Sequence, residues 1–196
     1  METDAFWQLV ETARSRATQA GTVDEALVDL LAARSEREVL EYQERFDELH
    51  GALYRWDVWA AAYLIGGGCS DDGFTDFRAG IIAEGRTWYE RVAADPDSLA
   101  EHPLAAAAAK AGEDYVLFYE EVNYVAPRAF EQLTGDEEDF YQAWEQYDSD
   151  AQPCAKAEQI AGIERDMGED FDFDDAEQMH HRLPRLATLY LSDNPT

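Results

Sequence analysis

Three consecutive glycines, Gly66, Gly67 and Gly68, constrain this chain more than any other stretch. Just before them, Trp56, Trp59, Ala60 and Tyr63 recur at i, i+3, i+4 and i+7, the spacing of one helix face. Glycine enters the left-handed region without a Cβ clash, so the helix ends there. A second apolar-periodic run begins at Phe74 and carries Phe77, Ile81, Trp88 and Val92 on one face, which predicts a helix to about Ala94. The chain must reverse between Gly66 and Gly73, and the other segments must pack around the resulting helical hairpin.

The bend itself reads Cys69-Ser70-Asp71-Asp72-Gly73. Asp71 or Asp72 suits the N-cap of the second helix, because a short carboxylate accepts from the unpaired amides of a first turn. Asp76 then falls in that first turn, where the helix dipole favours an anion. Two roles stay open for these acids. They are caps paired with Arg78 and Arg86, or they form a ligand or cation site, since oxygen-rich clusters suit magnesium or calcium. The spacing departs from an EF-hand, which needs acids at alternate positions and a glycine at the sixth. No other cofactor is expected.

The flanking sequence is helical throughout. Phe6, Val10, Ala13 and Ala17 give a first helix from Thr3 to Ala20, ended by Gly21. Thr22 with Glu25 and Ser35 with Glu38 are capping-box pairs that start a second and a third helix. Asp95-Pro96 is a helix-start signal, and alanines 105–109 favour helix. The stretch from Tyr115 to Tyr119 is apolar on every side, and its flanks predict a buried helix rather than a strand. That register puts Glu121 on the face of Leu117 and Tyr124, where a buried carboxylate needs Arg78, Arg86, Arg128 or an ion. Thr134 and Glu137 predict a further capping box. One last helix is expected from Ala176 to Leu191 despite Pro184. His180 and His181 are adjacent, about 100° apart on a helix, and do not converge on one metal.

Together these signals predict an all-α fold: a single compact multi-helix domain over residues 3–135, and an acidic helical extension over 136–196 packed on the same body. Ten Tyr, nine Phe and five Trp suffice for a substantial core. The acidic segment Gly168–Asp175 is expected to be an exposed loop pinned by Phe171 and Phe173.

With 43 acids against 15 bases the net charge is −28. Thr134 to Glu177 holds sixteen acids and two bases, half of that excess. Nucleic acid and anionic membrane surfaces are therefore poor partners. A basic protein or a cationic ligand is attracted, and the same charge keeps a chain soluble. Two distant cysteines, Cys69 and Cys154, make no disulfide framework. The start lacks the pattern of a signal peptide, and no run reaches the ~18 apolar residues of a membrane span, so a cytoplasmic protein is expected.

Nucleophile elbow, P-loop, dinucleotide fingerprint, zinc motif and HExxH are all missing. A binding or interaction protein is the favoured function, with Asp57, Cys69, Ser70, Asp71, Asp72, Arg78, Arg86 and Glu121 as candidate ligand contacts under the glycine-rich loop. The alternative is a small-molecule or metal-dependent hydrolase in which Asp71, Asp72, Asp76 and Glu121 share acid and base roles. Cys69 as nucleophile is weaker, for no histidine is evident beside it in sequence.

The pattern GGCSDDGFTDFR, followed by GRTWYE and DPDSLA, resembles the domain of unknown function 4240 family of bacteria. FWQLVETAR, YRWDVWAAAYLIGGGCSDD and YEEVNYVAPRAFEQLTG fit it as well, so the resemblance spans roughly Thr3 to Gly135. It implies conserved places for Trp56, Asp57, Gly67 to Phe74, Phe77, Arg78, Gly85, Arg86, Tyr89, Asp95 to Asp97 and Glu121. It implies a bacterial cytoplasmic protein and carries over no activity or catalytic residue.

Overall fold

The computed structural model describes residues 1–17, 21–136, 138–150 and 167–191, apart from the side chains of 148–150. Every regular element among them is helical. In order these are α1 (Thr3–Ala17), α2 (Val23–Ala32), α3 (Glu36–Ala52), α4 (Trp56–Gly66), α5 (Asp71–Ala83), α6 (Arg86–Ala94), a 3-10 turn (Pro96–Glu101), α7 (Pro103–Ala111), a second 3-10 turn (Glu120–Tyr124), α8 (Val125–Thr134), α9 (Glu138–Asp150), α10 (Ala176–Arg182) and α11 (Pro184–Tyr190). No helix among the described residues is long and apolar enough to cross a membrane. Cys154 and the Glu137 of the expected capping box lie outside the described residues.

The glycine bend forms as expected, but with a different cap. Gly67 takes φ 62° after α4, and the Gly68 amide closes back on the Tyr63 carbonyl at 2.9 Å. Ser70, not Asp71 or Asp72, caps α5: its Oγ accepts from the Gly73 amide at 3.2 Å. Because α5 starts at Asp71, Asp76 sits in its second turn rather than its first. The predicted helix to Ala94 is also two helices. Gly85 breaks it at φ 90°, and the Glu11 carboxylate from α1 accepts from the Arg86 amide at 3.1 Å. Trp88 and Val92 continue the apolar period across the break, which hides it from periodicity.

Helix α1 packs on α2, α2 on α8, and α3 lies across both α8 and α5. Phe6, Tyr42, Phe46, Phe74, Phe77 and Phe130 fill the space between them. Each such side chain contributes on the order of 2 kcal/mol through removal of apolar surface from water. The capping box at Ser35 and Glu38 forms: Ser35 Oγ accepts from the Glu38 amide, and the Glu38 carboxylate accepts from the Ser35 amide. Thr134, by contrast, ends α8 instead of starting α9, whose first amides are served by Asp136.

The segment before the second 3-10 turn is not a helix. Tyr115 and Leu117 both take left-handed dihedrals, φ 61° and 71°. For residues with a Cβ each such turn costs on the order of 1–3 kcal/mol. The segment instead crosses α5 as irregular backbone. Leu117 is buried, Phe118 packs on Phe77 with centroids 5.2 Å apart, and the Tyr119 amide reaches the Asp76 carbonyl. Gly80 makes this approach possible: a Cβ there would stand 1.9 Å from the Leu117 carbonyl oxygen. Since the helical register is absent, Glu121 does not share the buried face of Leu117; it is exposed and bonds Arg128 at 3.2 Å.

At the C-terminal end Pro184 splits the expected single helix, ending α10 and occupying the first turn of α11, where its missing N–H costs nothing. Asp97 fastens α11 to the domain. Its buried carboxylate accepts from the amides of Arg185 and Leu186 and from Arg185 Nε, at 2.8 to 3.1 Å. The acidic loop before α10 is held by Phe173, whose ring meets Trp56 and Tyr63, and by the Tyr63 hydroxyl on Asp174.

Gly80→Ala is expected to destabilise the fold by roughly 2–3 kcal/mol, because backbone rather than a flexible side chain occupies the space. Urea unfolding measures it, and an unchanged midpoint would show that the 115–119 segment does not bear on α5. Asp97→Asn is expected to cost on the order of 2 kcal/mol, the scale of hydrogen bonds to a charged acceptor, and to speed amide exchange at Leu186 and Ala187 before the rest of the core.

Candidate functional site

Arg78, on the buried face of α5, has no carboxylate partner among the described residues. Its Nε donates to the Phe74 carbonyl, one terminal nitrogen to His50 Nδ1 at 3.0 Å and the His50 carbonyl at 3.1 Å, and the other to Thr75 Oγ1. The guanidinium lies over the rings of Tyr54 and Phe74, 4.9 and 4.7 Å from their centroids. His50 is in the last turn of α3, so the negative end of that helix dipole faces the cation. Ring faces and a helix terminus thus replace the acids that the sequence suggested. Burial pulls the Arg78 pKa down to about 10, which still leaves it charged at neutral pH.

The other predicted contacts are scattered around this centre. Asp71 and Asp72 are exposed at the start of α5. Asp76 is half-buried; burial, then Glu120 and Asp72, raise its pKa, and Asn123 donates to it at 3.0 Å. Ser70 is a cap. Asp57 makes a two-pronged pair with Arg55 at 2.8 and 2.9 Å. Arg86 is taken by Asp4 and Glu90 on the surface. Burial pushes the Cys69 thiol up to about 12, so it holds its proton and is a poor nucleophile. The polar cluster expected beneath the bend therefore reduces to Arg78 and His50, because the acids gain more from water than from burial. Among the described residues, no three His, Cys, Asp or Glu side chains are grouped to hold a metal ion.

A different place gathers carboxylates. A cleft of about 520 Å³ lies between the end of α1, the start of α2 and residues 118–122. Val23, Phe118 and Val122 give it an apolar wall, and Asp24, Glu84, Glu120 and Glu121 give it acids. Arg128 binds both Asp24 and Glu121. Glu84 has the most partners of the four: the Tyr119 hydroxyl donates to it at 3.0 Å, His102 Nε2 lies 3.3 Å away and Arg14 3.6 Å away. Burial works to raise the Glu84 pKa, but His102, Tyr119 and Arg14 outweigh it and hold the carboxyl below its ordinary range. His102 is spent as a cap, its Nδ1 accepting from the Leu104 amide, so it is a support and not a free base. Of these residues the sequence singled out Glu121, with Arg128 among its possible partners, and that pair forms. Glu84 and Tyr119 carry no local signal, since the contact between α5 and the 115–119 segment brings them together.

Burial, then the charge of Arg78, lowers the His50 pKa from 6.5 to about 4, against a hydrogen bond from Nε2 to the Thr75 carbonyl. Between those values the unfolded chain binds a proton that the folded chain refuses. Stability from this group is complete above pH 6.5 and is lost as pH falls towards 4, with a total of about 3 kcal/mol. His50→Gln keeps a donor for Thr75 and an acceptor for Arg78 but does not titrate. Its unfolding free energy is expected to fall less steeply than that of the parent between pH 6.5 and 4.5; parallel curves would show that His50 is not held neutral.

The family described as "Protein of unknown function (DUF4240)" matches residues 1–132, from α1 into α8. No curated protein and no solved structure matches the chain. The matched region holds the glycine bend, the Arg78–His50 centre, Asp97 and the acid-lined cleft. Spanning two thirds of the 196 residues, the match makes this chain a member of that family of proteins of unknown function.

Proposed function

We propose that the chain is a recognition module for a cationic partner, with the acid-lined cleft as its site and a bacterial cytoplasm as its setting. The observation that carries this is Glu84, a carboxyl held charged in the cleft wall beside the apolar faces of Phe118 and Val122. Arg128 already claims Asp24 and Glu121; Glu120 is exposed in the cleft, and Glu84, though shared by Tyr119, His102 and Arg14, is the second acid that would meet a ligand. An ammonium on a short apolar stem, the chemistry of a lysine side chain, matches charge and wall together. The surrounding charge of −28 adds attraction that salt screens. The hydrolase alternative is less well supported: of its four acids, Glu121 lines this cleft but Asp71, Asp72 and Asp76 do not.

Butylamine titrated against the chain, followed through the amide shifts of Thr22, Val23 and Val122, tests the proposal. Binding is expected at low salt and is expected to weaken as ionic strength rises above roughly 0.1 M. Glu84→Gln and Glu120→Gln are each expected to weaken it roughly ten-fold, the scale of one charge-assisted hydrogen bond, while Asp71→Asn leaves it unchanged. Shifts that ignore both salt and Glu120→Gln, an exposed position that cannot unfold the core, would overturn it.

A further inference from the structure

The second 3-10 turn has another side. Where its last residues meet α3, α8 and α9, a groove of about 270 Å³ is lined by Gln43, Asn123, Tyr124, Pro127, Tyr141 and Trp144, with Phe140 beneath. Tyr124 and Tyr141 are each 47% exposed, whereas Phe140 is buried and anchors the wall through Phe130 and Trp144. Exposed ring faces take either apolar or cationic occupants, and the two amides in the groove decide between them.

Asn123 spends both amide hydrogens inside the protein, on Asp76 Oδ1 at 3.0 Å and the Glu120 carbonyl at 3.2 Å. Gln43 donates to Asp47 Oδ1 at 2.7 Å. Those partners only accept, so they fix which way each amide points. The carbonyl oxygens of Asn123 and Gln43 are left as acceptors, with no donor among the described residues. A proline-rich segment, the usual occupant of an aromatic groove, presents carbonyls and needs donors. This groove's amides offer acceptors. The adjoining face of α9 carries Glu138, Asp139 and Glu145, and α9 contains no basic residue.

We propose that this groove binds the guanidinium of an arginine on a basic partner, stacked on Tyr124 or Tyr141 and hydrogen-bonded to the amide oxygens of Gln43 and Asn123. A planar cation with five donors meets the ring faces and the acceptors at once, which an ammonium does less well. The groove stands apart from the acid-lined cleft and does not depend on it, although both lie against the same turn.

The test uses the full chain and three blocked peptides: glycine-arginine-glycine, the same peptide with neutral citrulline, and tetraproline. Binding is read from the side-chain amide signals of Gln43 and Asn123 and the indole signal of Trp144. The arginine peptide is expected to move all three, and Tyr141→Leu and Tyr124→Leu are each expected to weaken it roughly 3- to 30-fold, the range of a cation–π contact. Both tyrosines are half-exposed, so these variants keep the fold. Citrulline binding as well as arginine, tetraproline binding better than either, no movement with the arginine peptide, or no effect of the tyrosine variants would each overturn the proposal. Glu84→Gln is expected to leave these signals unchanged while it weakens butylamine in the cleft, so failure at one site is distinguishable from failure at the other.

Discussion

The guanidinium of Arg78 is the junction on which the central part of the fold depends. It joins the end of α3, through the ring and carbonyl of His50, to α5, through Phe74 and Thr75, and it carries Tyr54 on its face. Rings continue outward in both directions: Phe46 stacks on His50 and Tyr42 on Phe46, while Trp59 stacks on Phe74 and Trp56 on Trp59. A buried cation without an acid is tolerable here because four hydrogen bonds, two ring faces and a helix C-terminus share its solvation. The same arrangement keeps His50 neutral, since a second positive charge 3.0 Å away would be opposed by its neighbour.

From that centre α5 presents its other side to the chain. Gly80 leaves a gap into which the Leu117 carbonyl fits, and the two left-handed residues at 115 and 117 turn the backbone so that Leu117 and Phe118 face inward. Local strain is offset by the apolar surface that these side chains and Val122 bury. Because the segment is laid down this way, Tyr119 reaches Glu84, and the following turn divides two recesses, with Glu120 and Glu121 on one side and Asn123 and Tyr124 on the other. Packing against one glycine thereby sets the positions of both candidate binding surfaces.

What was legible in the sequence was whatever rests on short-range chemistry. The glycine bend, the Ser35–Glu38 box, and Asp95 capping the turn that begins at Pro96 through the Asp97 amide all depend on residues within a few positions of one another. Apolar periodicity identified the buried faces of α1 and α5 but passed straight over Gly85, because the break is stabilised by Glu11 from a helix far away in sequence. It also read Tyr115–Tyr119 as a helix, because an all-apolar stretch carries no sign of left-handed residues. The acids of the bend attracted notice by their number. Number favours water, though, and the carboxylates that do meet partners deep in the protein, Asp97 and Glu84, look ordinary in sequence because their partners are Arg185, Tyr119 and His102.

The distribution of cations turns this into a statement about ligands. Fifteen bases serve 43 acids, and the arginines near the two recesses are already committed, Arg128 to Asp24 and Glu121, Arg86 to Asp4 and Glu90. Arg185 is likewise held by Asp95, Asp97 and Glu101, where it secures α11. These arginines are spent on holding the protein together, and what lines the two recesses is carboxylate, amide and ring surface. An anionic ligand entering either recess would find no uncommitted cation among the residues that line the aromatic groove, and an excess of acids in the cleft. On the reading proposed above, the charge for recognition at these surfaces comes from a basic partner.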